Sequence, residues 1–300
     1  MKSKKLNRLI DVLLISAMIL PFIGAIVLSI LTKPASEGIV ISGAQIYFTI
    51  DMPLQPLQIT EAHVVSLCVV NAIFFLCVFL TRGLRIRGIS TRQAIAEKLV
   101  CMAEDFVRGN MGEQYVEFAA FMGSVMAISA MSSLCSLLGL YPPTADVSII
   151  GGWALIVFVL ITHYKLKGGL LSYLKSFTEP IFIFTPFNIV GELSTPVSMT
   201  LRHYGNVLSG VVISTLLAAA FSGASKLLLG WIPGGISEIP LLRIGIPAIL
   251  SLYFDIFSGL LQAFIFAILT ALYISNGAPE GYDPRVKNKK HKNKSLKKVK

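Results

Sequence analysis

The sequence predicts an all-α polytopic membrane protein with about six membrane helices, the last two long, tilted and antiparallel, plus an amphipathic surface helix. Three observations predict it. Hydrophobic residues make up 54% of the 300-residue chain and charged residues only 14%, with a mean hydropathy of +0.74, far from the balance of soluble domains. The apolar runs reach the roughly 20 residues that a helical crossing requires. No soluble block separates them, so the chain reads as a single membrane domain over residues 1–300. Cys68, Cys77, Cys101 and Cys135 lack metal-ligand spacing and read as small hydrophobes in helices. Neither a metal nor a cofactor is expected.

The first span, residues 10–32, follows Lys2, Lys4, Lys5 and Arg8. A signal peptide is the competing reading, disfavoured because the apolar run is long and no small-x-small site stands out before Ser36. From Ile39 to Pro56, short alternating segments around Asp51 and Pro53 predict a small outer hairpin. The second span, 62–81, ends at Arg82, Arg85 and Arg87. Residues 90–110 predict an amphipathic surface helix with Ile95, Leu99, Met102 and Phe106 at helical spacing and a capping box of Ser90 with Gln93.

Spans at 118–140 and 147–164 follow, then Lys165, Lys167 and Lys175. The last two spans cover 181–222 and 245–275. Within them, Pro196–Phe221 and Pro247–Ser275 make helices of about 39 and 43 Å, longer than a hydrocarbon core of about 30 Å, so they must tilt or kink. Thr195 is placed to cap the first and Gly277 to stop the second. Residues 282–300 are expected to form a disordered basic tail on the cytoplasmic side. If each span crosses once, every basic cluster falls on one side, which puts both termini in the cytoplasm.

Between Pro180 and Ser222 the only charged or readily titrating side chains are Glu192, Arg202 and His203. A cation at membrane depth costs about 2.5 to 3.5 kcal/mol on insertion scales, so such residues are rarely placed without use. Arg202, Asn206 and Ser209 fall on one helical face, and Asp255, Gly259, Gln262, Phe266 and Tyr273 share a face of the last helix. With Arg202 opposite Gln262, Asp255 lies about 10 Å outward and Glu192 up to about 15 Å inward. This reads as ion passage. Interhelical packing and an Arg202–Asp255 structural pair are the plainer alternatives, and the seven-residue offset disfavours the pair. His203 projects about 100° away from Arg202 and reads as a packing residue.

Other function classes fit less well. A secondary transporter with Arg202 in its substrate site predicts an internal repeat, and the two halves show none. No hydrolase motif is present. The net charge of +10 sits mainly at the two ends, which suits contact with membrane lipid and not nucleic-acid binding.

The run GELSTPVSMTLRHYGNVLSG (Gly191–Gly210), then FDIFSGLLQAFIFAILTALYIS (Phe254–Ser275), and PPTADVSI (Pro142–Ile149) resemble the a subunit of the bacterial F-type ATP synthase membrane sector. The resemblance covers roughly residues 60–280. It implies a non-catalytic, ion-translocating stator in the bacterial cell membrane, holding two offset half-channels against a ring of c subunits. Its further partners would be the b subunits of the peripheral stalk and the rest of the complex. Arg202 is similar to the family's essential arginine, Asn206 to the asparagine of its motif, and Gln262 to the glutamine facing the arginine. Glu192 resembles the inner acidic residue, while Asp255, with Ser209 nearby, occupies an outer-channel position. Tyr273 shares the face of Gln262. Two departures stand out: Val211 where many relatives have a carboxylate, and His203-Tyr204 where Leu-Phe is usual.

Overall fold

The computed structural model describes residues 2–32, 43–53, 55–86, 89–179, 181–229, 249 and 252–279. The basic tail, Pro247 with the start of the sixth expected span, and the first residues of the expected hairpin lie outside the described residues. Six described segments are long and apolar enough to cross a membrane: Lys5–Thr32, Glu61–Thr81, Glu113–Leu138, Val147–Leu166, Phe182–Ser225 and Leu252–Gly277. The all-α polytopic class follows from them. Contacts divide the chain into two units, one of Met1–Arg82, Ala127–Ile150 and Thr200–Ala263, the other of Gly83–Met126, Gly151–Met199 and Phe264–Lys300.

In the first unit, α1 (Lys2–Thr32) packs along α2 (Glu61–Thr81). Pro21 lies inside α1 and has no N–H to give the carbonyl four residues back. That carbonyl belongs to Ala17, and the Asn71 side-chain amide of α2 donates to it at 3.1 Å. Near the other end of the pair, Arg82 donates to Asn7 Oδ1 at 3.2 Å and lies 3.7 Å from Asp11. Ala25, Val65, Cys68, Val69, Cys135 and Leu140 bury the apolar seam.

A hairpin is present, β1 (Ile46–Ile50) paired antiparallel with β2 (Leu57–Thr60), its second strand lying beyond the expected end at Pro56. It feeds directly into α2, whose Glu61 is only 5% exposed and accepts from the Tyr141 backbone N–H at 3.2 Å. The Pro-Pro segment makes a short 3₁₀ turn, Pro143–Ala145, and Asp146 then caps the next helix by accepting from Ser148 N–H at 2.9 Å. Thus the PPTAD residues act as a helix-start device.

The second unit begins with α3 (Thr91–Met111). Ser90 accepts from Gln93 N–H, as a cap should, but the reciprocal half of the expected box is absent. Gln93 instead pairs through its side-chain amide with both backbone groups of Arg85, each at 2.9 Å. The apolar positions also divide differently from expectation. Val107 and Met111 are buried and Phe106 packs beside them, whereas Ile95, Leu99 and Met102 are exposed.

α4 (Ala119–Leu134) follows, then α5 (Val147–Leu166) and a short α6 (Leu170–Thr178), where only the basic cluster of Lys165, Lys167 and Lys175 had been expected. Gly169, at φ +102°, makes the turn between α5 and α6. Met122, Val157, Phe266 and Ile274 sit in the unit's core, joined by edge-to-face contacts of Tyr115, Phe118 and Tyr164.

α7 runs from Thr185 to Leu229 with Pro196 inside it. The expected start at Pro196, capped by Thr195, is therefore corrected. Pro196 leaves the Glu192 carbonyl without its intrahelical donor, and the neighbouring hydroxyls of Ser194 and Thr195 donate back to Val190 and Gly191. The last span opens as a π-helical segment, Leu252–Ser258, and continues as α8 (Gly259–Gly277).

Candidate functional site

In the second unit, α5, α7 and α8 supply the groups around a cavity of about 180 Å³, large enough for several waters. Lys165, Glu192, Thr195, Tyr273 and Asn276 give it polar walls, and Phe158 and Ile161 apolar ones. Lys165 occupies the last turn of α5, where a cation is favoured by the helix dipole. Its ammonium donates to Glu192 Oε2. Tyr173 of α6 donates its hydroxyl to Glu192 Oε1 at 3.4 Å. Both carboxylate oxygens are thereby held, and the side chains of Lys165 and Glu192 remain 31% and 16% exposed. Burial, followed by the charge and hydrogen bond of Glu192, pushes the Tyr173 phenol above its ordinary pKa.

Gly277 closes the cavity, as a Cβ there would stand 3.3 Å from Lys165 Cγ and 3.5 Å from the Ile161 carbonyl. Its absence of a side chain lets α8 approach the Lys165 stem. Glu192 and Tyr273 are thus the two sequence-predicted residues that this cavity brings together. Lys165 and Asn276 are additional members, and Tyr173 of α6 joins the site through Glu192. Lys165 had been read only as a topology marker. A weak signal for α6 exists in Leu170, Leu171, Leu174 and Phe177, which recur at helical spacing but over only nine residues.

In the first unit, Arg202 is exposed and makes no hydrogen bond or ion pair among the described residues. Gln262 is 5% exposed, and no hydrogen bond joins it to Arg202. Asn206 instead ties α7 to the π-helical segment: its amide donates to Ser258 O at 3.4 Å and its Oδ1 accepts from Ser258 Oγ at 3.0 Å. Ser209 donates to Asn206 O at 3.0 Å, a local bond on an exposed face. Asp255 belongs to the π-helical segment, and its side chain lies outside the described residues. His203 is fully buried, with Nε2 3.4 Å from Ser129 Oγ.

Close approach explains two glycines of this unit. A Cβ on Gly259 would stand 2.7 Å from Ser133 Cβ, and one on Gly210 would stand 3.4 Å from Phe254 Cβ. Both line a small cavity of about 10 Å³ with Asn206, Ser133 and Ser136, near the lower limit for one water. π-helical segments recur at functional sites because they re-aim side chains. Here the segment places Ser258 against Asn206.

Comparison with known families is decisive, since residues 63–275 match the model of the ATP synthase A chain. The chain belongs to that family. It is 31% identical over 190 residues to ATP synthase subunit a 1 of Chlorobaculum parvum, covering 62% of this chain and 74% of that protein. It is 32% identical over 171 residues to ATP synthase subunit a of Albidiferax ferrireducens, covering 56% and 64%. With ATP synthase subunit a 2 of a Bradyrhizobium species it shares 28% identity over 221 residues, covering 73% and 89%. The ATP synthase A chain match contains Arg202, Asn206, Gln262, Glu192 and the cavity residues Lys165 and Tyr273, while α1 and the hairpin lie before it. With six apolar spans among its described residues, this ATP synthase A chain family member is a multi-pass bacterial membrane protein.

Proposed function

We propose that the chain is the ion-translocating stator subunit of a rotary ATP synthase membrane sector, forming two offset half-channels against a ring of c subunits. Its termini face the cytoplasm, and b subunits of a peripheral stalk hold it in place. The observation that carries the reading is Arg202, a fixed charge on an apolar span with no partner among the described residues inside a chain of the ATP synthase A chain family. A carboxylate arriving within about 4 to 6 Å of such a guanidinium has its ionised form favoured by about 1 to 3 pKa units. The c subunit would supply that carboxylate.

Arg202 then forces release of the transported ion and blocks a direct leak between the two paths, because a guanidinium cannot give up its proton. Glu192 and Tyr273 serve the inner path, Asp255 and Ser209 the outer one. Asn206 and Gln262 shape the ground beside the arginine. The family match speaks against the secondary-transporter alternative. Arg202→Ala is expected to abolish ATP-driven ion pumping in membrane vesicles with the complex still assembled. Coupled pumping at the wild-type rate would overturn the reading.

A further inference from the structure

On the foundation of the inner path just proposed, we infer that Lys165 is a tethered counter-cation that keeps metal cations off Glu192. It thereby acts as a specificity-determining residue of that path. Glu192 is the one carboxylate lining the 180 Å³ cavity among the described residues. A carboxylate facing water beside further oxygen donors is a natural place for a hard cation to settle. Thr195 and Asn276 line the same cavity, and the hydroxyl of Tyr173 already contacts Glu192 Oε1.

The Lys165 ammonium takes the place such a cation would need, on Glu192 Oε2. It is delivered by a flexible stem from the end of α5, so it competes at an effective concentration of about millimolar or above without being consumed. A proton differs from a metal ion here. It arrives through water and needs no coordination shell, so an ammonium that swings aside briefly lets it pass. Among the described residues, the titratable groups that face Glu192 are Lys165 from α5, Tyr173 from α6 and Tyr273 from α8. Lys165 is the only cation among them.

The test is ATP-driven pumping by the whole complex in inverted vesicles at fixed MgATP, with Ca²⁺ added on the cytoplasmic face. Ca²⁺ acts alike on the catalytic subunits of every strain, so differences between strains isolate this chain. Lys165→Gln is expected to be half-inhibited at roughly 10⁻⁴ to 10⁻³ M Ca²⁺, with the wild type about tenfold less sensitive. Lys165→Arg should restore the resistance, and Glu192→Gln added to Lys165→Gln should remove the sensitivity. Lys165→Met provides the same comparison if the glutamine variant fails to assemble. Equal Ca²⁺ sensitivity in wild type and in the assembled neutral variant overturns the inference. Arg202→Ala in the same vesicles separates the two claims: if it stops pumping while Lys165→Gln gains no Ca²⁺ sensitivity, only the role of Lys165 falls.

Discussion

At the scale of single residues, two prolines inside membrane helices each leave a carbonyl without its intrahelical donor, and the chain answers them differently. The Ala17 carbonyl receives the Asn71 amide of a neighbouring helix. The turn before Pro196 instead carries hydroxyl bonds from Ser194 and Thr195 to the Val190 and Gly191 carbonyls. Asn71→Leu should therefore destabilise the α1–α2 pair by about 0.6 to 1.7 kcal/mol, the range measured for hydrogen bonds between membrane helices. Pro21→Ala restores the intrahelical donor, so on that background the cost of Asn71→Leu should shrink. Unfolding of the four strains of this double-mutant cycle in detergent measures the coupling. The isolated charge of Arg202 was legible from the sequence because no other Asp, Glu, Lys or Arg lies between Glu192 and Lys226. The Lys165–Glu192 contact was not, since it joins two helices whose facing cannot be read from spacing.

At the scale of elements, the π-helical segment Leu252–Ser258 and the glycine that follows it fix how α8 begins. Gly259 stands where any Cβ would meet Ser133 Cβ at 2.7 Å. Gly259→Ala should cost about 1 to 3 kcal/mol through overpacking, seen as less assembled complex in the membrane. Adding Ser133→Gly, which removes the obstructing atom, should recover part of the loss. Long apolar helices were legible because their period and length are unambiguous. The π-helical widening was not, since it adds a residue to a turn without changing composition. α6 was hidden for another reason: at nine residues it is shorter than an isolated helix normally sustains, and its Tyr173 contact to Glu192 anchors it. In α7 a proline that reads as a helix start became an interior residue. The local rule for Pro at a first turn gave way to the need of a spanning segment to satisfy its backbone.

At the scale of the whole molecule, the polar groups of interest divide between two compact units, Arg202, Asn206 and Gln262 in one and Glu192, Lys165 and Tyr273 in the other. Under the proposed function, Glu192→Gln and Asp255→Asn should each slow ATP-driven pumping while leaving the complex assembled. Pumping by Asp255→Asn at the wild-type rate would move the outer path elsewhere. The fold class was readable from hydropathy alone because a bilayer admits so few backbone solutions. The family match covers residues 63–275 and stops short of α1, a helix the sequence could describe only by its apolar length.

The joint between α1 and α2 gives that extra helix a fixed address. Its key is a missing amide hydrogen at Pro21, and the matching ward is Asn71, so sliding α1 by one residue would strand both groups in hydrocarbon. A generic apolar anchor grafted in place of residues 2–32 would match the thickness of the bilayer and still not fit the lock. Chimeras that exchange this segment between relatives should work best when Pro21 and Asn71 travel together.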